Sequence, residues 1–197
     1  SVWQNGSNCY PLFHASNAGK IKETSCGIKF LSLHYPEADD QLLSQIDEKT
    51  VFIIQTNHQN GVGEQKAFFH LLLRKGIKNP VVIKRSYESK ESSQLQIMAG
   101  ADTGIFFIDG LGDGLWIEDK NIEPSKTLSS AFGILQAARA RVSKTEYISC
   151  PSCGRTLYNM QSTIAEIKSK TSHLKGLKIG IMGCIVNGPG EMADADY

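Results

Sequence analysis

From Ile28 onward, short apolar runs alternate with segments whose apolar residues recur every three or four positions. The runs predict strands at Ile28–Leu33, Val51–Thr56, Val81–Lys84, Gly104–Ile108, Leu115–Ile117, Glu146–Ser149 and Lys178–Met182. The periodic segments predict helices between them. One covers about Ala38–Asp47 with Leu42, Leu43 and Ile46 inward. Glu64–Lys75 is rich in Phe and Leu and stops at Gly76, and Glu91–Ala99 ends at Gly100. A fourth follows Pro124 and Ser125 and turns Leu128, Phe132, Leu135 and Val142 inward; a fifth spans Asn159–Lys170, with Met160, Ile164, Ile167 and Leu174 in register. Residues 1–28 show no clear period. Strand–helix alternation of this kind predicts an α/β fold built on βαβ crossovers and a mainly parallel sheet. Strands that are apolar throughout predict helices over both faces of that sheet.

Composition narrows the class. At 197 residues and 41% hydrophobic, the chain is long enough for a buried core. Its net charge of +1 comes from interspersed charges, with no basic stripe, so nucleic acid is not an expected partner. Apolar stretches such as Gly104–Ile108 and Leu71–Leu73 are far too short to cross a bilayer, and no membrane partner is expected. With no signal-peptide pattern, a soluble intracellular protein is the expectation. Ser1 opens the chain without an initiator Met and Tyr197 closes it just past a motif, which reads as part of a longer polypeptide. A seam is expected around Arg141–Thr145. It separates a 1–145 βα-repeat domain from a 146–197 domain that carries most of the cysteines.

Five cysteines at uneven spacing do not form a secreted disulfide framework, and in a reducing compartment Cys-x-x-Cys is more often a metal or redox site. Cys150-Pro151-Ser152-Cys153 lets two thiolates converge, with Pro151 stiffening the turn and Gly154 allowing a tight backbone. By itself the pair admits an iron–sulfur cluster, half of a zinc site or a redox dithiol. Zinc needs a closed set of four ligands, for which His173 is available, although it sits in a predicted helix-end loop eleven residues before Cys184. Cys184 ends an apolar strand and opens the Gly- and Pro-rich turn Asn187-Gly188-Pro189-Gly190, with Glu191 seven residues on. Ligands commonly enter α/β folds where a strand end meets such a loop.

Two blocks carry a family resemblance. Glu146-Tyr147-Ile148-Ser149-Cys150-Pro151-Ser152-Cys153-Gly154-Arg155-Thr156 and Ile181-Met182-Gly183-Cys184-Ile185-Val186-Asn187-Gly188-Pro189-Gly190-Glu191-Met192-Ala193-Asp194-Ala195-Asp196 closely resemble the 4-hydroxy-3-methylbut-2-en-1-yl diphosphate synthase family of isoprenoid biosynthesis. The likeness continues through Ala99–Leu115, where Gly104–Gly114 looks like a glycine-rich strand-turn-strand, and is thin before about residue 90. It implies an iron–sulfur oxidoreductase that opens a cyclic diphosphate, 2-C-methyl-D-erythritol 2,4-cyclodiphosphate, with two electrons from ferredoxin or flavodoxin. It further implies a 4Fe–4S cluster held by Cys150, Cys153, Cys184 and Glu191, with Asn187 near the substrate. Thiolates are soft and strong ligands, whereas a carboxylate is harder and more labile, so Glu191 would leave one iron exchangeable. Family members dimerise, and they carry an N-terminal catalytic barrel that has no room in this chain. The 1–145 region resembles the latter half of the partial, TIM-barrel-like insert of the enlarged plant and bacterial form. The implied compartment is bacterial cytoplasm or plastid stroma, and the chain alone is expected to be inactive. A zinc-binding structural or interaction module using the same cysteines is the alternative.

Other conspicuous residues read as background. Cys9 and Cys26 are expected to be free thiols, and His14, His34, His58 and His70 share no metal spacing. Arg155 reads as a turn residue. Lys84-Arg85 at a strand end could face a phosphate, although a solvated strand end is commoner. Gly110–Gly114 is not read as a nucleotide loop, because it is expected to join two strands.

Overall fold

The computed structural model describes residues 10–186 and 188–197, except the side chains of Pro189 and Glu191. The chain divides into two compact units, Ser1–Ala138 and Arg139–Tyr197.

The first unit is a wholly parallel five-stranded sheet whose spatial order follows the chain: β1 (Leu12–His14), β2 (Lys29–His34), β3 (Thr50–Gln55), β4 (Val81–Tyr87) and β5 (Gly114–Asp119). The connections carry α1 (Asp40–Ser44), α2 (Gly61–Lys75) and α3 (Ser92–Ile108), and α4 (Pro124–Ala137) follows β5. Unbroken strand order with right-handed crossovers returns every helix to the same side of the sheet. The core obeys this. Leu31, Leu33, Phe52, Ile54, Val81 and Ile83 lie in register on one face and pack with Phe68, Phe69, Leu72, Phe106 and Phe107 of the helices. The opposite face alternates with them and carries Phe30, Ser32, Val51, Val82, Lys84 and Trp116, none of which joins a core cluster among the described residues. The expectation of helices over both faces is therefore overturned: the strands look apolar throughout because both faces of a sheet with one helical layer still carry Val, Ile and Phe.

Local signals explain most boundaries. Asn60 caps α2 by accepting from the Gly63 N–H (3.0 Å), and Gly76, at φ 67°, ends it in the left-handed conformation that favours glycine. Asp39 caps the short α1 through the Leu42 N–H (2.7 Å).

Two readings are corrected. Gly104–Ile108 is not a strand but the last turns of α3, which runs straight through Gly100. Its buried residues Leu95, Ala99, Thr103 and Phe106 recur at steps of four and three, a helical period that outweighs the β propensity of Ile and Phe. The helix closes at Gly110 (φ 71°), where the Leu111 N–H returns to the Phe106 carbonyl (2.8 Å). Gly110–Gly114 therefore joins a helix to a strand rather than two strands. Within the stretch read as patternless, β1 pairs with β2 and a 3-10 segment at Ala15–Ile21 buries Ala18 and Ile21. The inward face of α4 is also Thr127, Ser130 and Ala131 rather than Leu128, which is exposed, as is Val142 beyond the helix end.

The second unit pairs β6 (Glu146–Ser149) with β7 (Lys178–Ile181) in parallel, connected through α5 (Met160–Thr171), and ends in α6 (Gly188–Glu191) and a tail. Asn159 caps α5 through the Ser162 N–H (3.1 Å), and Met160 at its start is buried. Beneath the sheet's entry, the buried Thr145 hydroxyl lies within reach of the Thr171 and Leu174 carbonyls (3.0 and 2.8 Å). The tail runs along the other edge of β7: Tyr197 N–H donates to the Lys178 carbonyl and Gly180 N–H to the Tyr197 carbonyl, the parallel-ladder pattern. Gly180 leaves room there for Met192, whose side chain a methyl group would displace, and such a methyl would also lie 3.2 Å from Ala195 Cβ.

Candidate functional site

Parallel pairing puts the carboxyl ends of β6 and β7 side by side, and the chain leaves each strand into a cysteine-bearing loop. The ladder extends one step past the strands, with Cys150 N–H donating to the Ile181 carbonyl (3.4 Å). Beyond it, Gly183 N–H donates to Cys150 Sγ (3.4 Å). This bond joins the residue before Cys184 to the first thiol of the Cys-x-x-Cys turn.

That turn differs from expectation in where it is strained. Gly154 keeps an ordinary backbone, and Ser152 instead takes the left-handed conformation at φ 70°. Thr156 closes the turn: its N–H donates to the Cys153 carbonyl (2.9 Å), and its Oγ1 accepts from Cys153 N–H (3.4 Å) and the Ser152 hydroxyl (3.3 Å). Tyr158, two residues on, donates its hydroxyl to the Met182 carbonyl. Cys150 and Cys184 are half-buried, Cys153 is exposed, and all three are free thiols.

The two loops thus bring the segments that carry the three cysteines to one end of the strand pair. Among the described residues, no three His, Cys, Asp or Glu side chains converge as ligands of a single metal ion. A tetrahedral zinc with bonds of 2.3 Å needs thiolates about 3.8 Å apart, whereas a cluster spreads its thiolates around a larger body. The donor set suits the latter: three free thiols, one already accepting a backbone N–H as cluster-bound sulfurs do. Glu191 ends α6, its side chain outside the described residues, and Asn187 also lies outside them. His173 precedes β7 while Cys184 follows it. The four residues of β7 alone span about 13 Å at the usual rise, and His173 joins no ligand group among the described residues.

The first unit offers no competing metal group among its described residues. Cys26 is a free, half-buried thiol, and Cys9 lies outside the described residues. Lys84 and Arg85 sit inside β4 and are already engaged. Lys84 pairs with Glu118 (3.2 Å) and lies 4.4 Å over the Trp116 ring. Arg85 pairs with Asp102 (2.6 Å). Burial is the largest single influence and disfavours the Arg85 charge, but hydrogen bonds and charge attraction from Asp102 and Tyr87 together outweigh it and hold the guanidinium pKa above its usual value. Burial likewise pushes the Tyr87 hydroxyl up to about 12, so it stays protonated and donates to Asp102 (3.1 Å).

Thr156 and Gly183 lie within the two motif blocks, which by themselves give neither residue a role. The available signal was a hydroxyl three residues past a Cys-x-x-Cys and a glycine directly before the third thiol.

Comparison with known proteins gives a consistent picture. Residues 146–197 match the family model of the GcpE protein C-terminal domain. The chain is 52% identical over 197 residues to a 4-hydroxy-3-methylbut-2-en-1-yl diphosphate synthase (flavodoxin) of Parabacteroides distasonis, covering 99% of this chain and 32% of the relative. It is 48% identical over 199 residues to the Bacteroides thetaiotaomicron protein of the same name, covering 100% of this chain and 32% of the relative. A chloroplastic, ferredoxin-named synthase of Oryza sativa subsp. japonica is 40% identical over 207 residues, covering 95% of this chain and 27% of the relative. The chain spans about a third of the length of the curated relatives it matches. The likeness is not thin before residue 90, as the sequence blocks alone implied, but runs through nearly the whole chain.

Proposed function

We infer, from a chain whose residues 146–197 belong to the GcpE C-terminal domain family, that it forms the C-terminal part of a 4-hydroxy-3-methylbut-2-en-1-yl diphosphate synthase. The reaction is the reductive opening of 2-C-methyl-D-erythritol 2,4-cyclodiphosphate to 4-hydroxy-3-methylbut-2-enyl diphosphate in isoprenoid biosynthesis. The observation that carries this reading is the near-complete alignment with synthases at 40–52% identity. The gathering of Cys150, Cys153 and Cys184 at one end of β6 and β7 supports it, and nothing comparable supports the zinc-module alternative.

In this reading Cys150, Cys153, Cys184 and Glu191 hold a 4Fe–4S cluster, which when bound supplies electrons and a Lewis-acidic iron to the substrate. The chain's own residues position it. The β6–β7 ladder and the Gly183 N–H to Cys150 Sγ bond set the two thiol-bearing loops at a fixed separation. Met192, packed over Gly180, ties the residues after α6 to β7 and so fixes where the backbone of Glu191 lies. Asn187 is assigned to the substrate side. Electrons come from flavodoxin, as the names of the bacterial relatives have it, or from ferredoxin as in the rice relative. Bacterial cytoplasm or plastid stroma are the compartments that suit these thiols. No helix among the described residues is long and apolar enough to cross a membrane.

The first unit is read as the latter part of a TIM-barrel-like domain, with 1–145 and 146–197 as the two domains and a catalytic barrel supplied by the rest of the protein. Consecutive parallel strand order and a single helical layer support this. So does a cavity of about 480 Å³ beside β5, lined by Trp116, Ile117, Ile122, Leu128 and Ala131, where a further strand and its helix would pack. The domain read this way leaves the cyclic diphosphate to the missing barrel, which agrees with Lys84 and Arg85 being engaged. This chain alone is then inactive, and pairing of two copies belongs to the whole enzyme.

The test is anaerobic reconstitution of the full-length protein with iron and sulfide counted per chain. Four irons with matching labile sulfide are expected, and Cys184→Ser should lose most of the iron and all activity. Zinc without sulfide in the freshly purified protein, or unchanged iron in Cys184→Ser, overturns the reading.

A further inference from the structure

We propose that Thr156 is a positioning residue that clasps the two thiol-bearing loops together and thereby tunes the reduction potential of the group they hold. The proposal rests on the cluster reading above. It goes beyond that reading by giving a task to a side chain that is not a ligand.

Thr156 is half-buried and touches both loops at once. On its own side it closes the Cys150–Cys153 turn, through its backbone N–H to the Cys153 carbonyl and through Oγ1, which accepts from Cys153 N–H and the Ser152 hydroxyl. That acceptor stabilises a turn in which Ser152 holds a left-handed backbone, a strained conformation that a non-glycine residue keeps only where its surroundings enforce it. On the other side Thr156 lies against Gly183. A methyl group on Gly183 would overlap Thr156 Oγ1 and come within 3.0 Å of Thr156 Cγ2 and of Met160 Cε. Thr156 therefore fills the space a side chain at Gly183 would need, and the absence of that side chain lets the loop after β7 settle onto the turn.

The consequence reaches sulfur. With Gly183 pressed on Thr156, its N–H points at Cys150 Sγ at 3.4 Å. Hydrogen bonds to ligand sulfurs favour the more reduced, more negative state of an iron–sulfur cluster and raise its potential. Tyr158 adds a second tie to the same loop through the Met182 carbonyl, on the far side of Gly183 from Cys184. The clasp is made entirely by protein groups, so the two loops are joined before any iron arrives. Groups of this kind beside ligands commonly change metal retention 10–100-fold when removed.

The experiment uses the full-length protein with Thr156→Val, which keeps the shape and removes the acceptor, and Thr156→Ser, which restores it. After anaerobic reconstitution, Thr156→Val should still bind four irons per chain. It should lose them to a chelator about tenfold faster than the parent protein and show a midpoint potential shifted to more negative values. Thr156→Ser should return both quantities to the parent values. Parental chelation rate and potential in Thr156→Val overturn the clasp, as does a shift that Thr156→Ser fails to restore. If the parent protein itself binds no iron, the cluster reading fails instead, and a second measurement still decides the clasp. Amide hydrogen exchange of the apo-protein in segments 150–156 and 182–184 should quicken about tenfold in Thr156→Val and not in Thr156→Ser. Equal exchange in all three overturns the proposal, and so does a Thr156→Val protein whose other segments exchange faster to the same degree.

Discussion

The two units are stabilised by different physics. The first buries Phe52, Phe68 and Phe106 completely and layers them between a parallel sheet and three long helices. Among the described residues of the second unit, only Met160 and Ile181 are buried apolar side chains. It relies instead on directional bonds: Thr145 beneath the strands, Tyr147 to Thr171 (2.8 Å), Tyr158 to Met182, and Asp196 to the Lys178 N–H (2.8 Å). Apolar burial contributes more free energy but tolerates shifts of position, whereas a hydrogen bond is worth about 1 kcal/mol net and fixes a direction. A deep core makes a platform. A bonded frame makes a place where a few ligand atoms can be held to geometry.

The largest break in this contrast is expected from Phe68→Ala. Phe68 meets Phe52 edge-to-face at 5.4 Å and Phe69 at 6.3 Å, with no exposure at all. Its removal leaves a cavity among rigid neighbours and should cost about 3–5 kcal/mol, read from the denaturant midpoint of the first unit. The iron content of the second unit should not follow it. Met160→Ala probes the other side of the comparison and should cost less, about 2 kcal/mol, since few buried apolar side chains surround it in the second unit. It removes the side chain beneath Gly183, so its distinctive effect is on amide exchange at 182–184 rather than on global unfolding. A Met160→Ala protein as destabilised as Phe68→Ala would erase the distinction between the units.

The same contrast explains what was legible in the sequence. Strands β2, β3, β4, β5, β6 and β7 are visible as apolar runs, and α2 as a helix ending in glycine, because burial imposes a period and a left-handed C-terminal stop imposes a residue type. The run at Gly104–Ile108 misled because Gly100 and Gly104 look like breaks, while the helical spacing of Leu95, Ala99, Thr103 and Phe106 crosses both. The one-sided helical layer was not readable from strand composition, since it follows from strand order, which no local pattern encodes. In the second unit the ligand types were readable from spacing, but the bonds that arrange them were not. Thr156 reaches Gly183 across 27 positions of chain, and only the parallel pairing of β6 with β7 makes them neighbours.

The smallest expected effect is also the most specific, because it separates a buried ion pair in the first unit from an exposed one in the second. Lys29, with its side chain 4% exposed, donates to Asp47 (2.6 Å) and to the Ile21 carbonyl (2.7 Å). The hydrogen bond from Lys29 holds the Asp47 carboxyl below its usual pKa against the opposing effect of burial, with help from Thr50 and the Lys49 N–H. A carboxylate depressed in the folded state contributes stability that is complete above its unfolded value, about pH 4, and is lost as pH falls through the folded value. Glu166 in α5 is lowered by its hydrogen bond to Lys170, but both groups are exposed and salt screens them. Below about pH 4 the first unit should therefore lose stability with a slope that Asp47→Asn flattens, at both low and high salt. The corresponding change from Glu166→Gln should shrink toward nothing at 1 M salt. Equal salt sensitivity of the two slopes, followed by circular dichroism of the separate variants, would show that Lys29 is solvated and that its burial contributes no more than a surface pair.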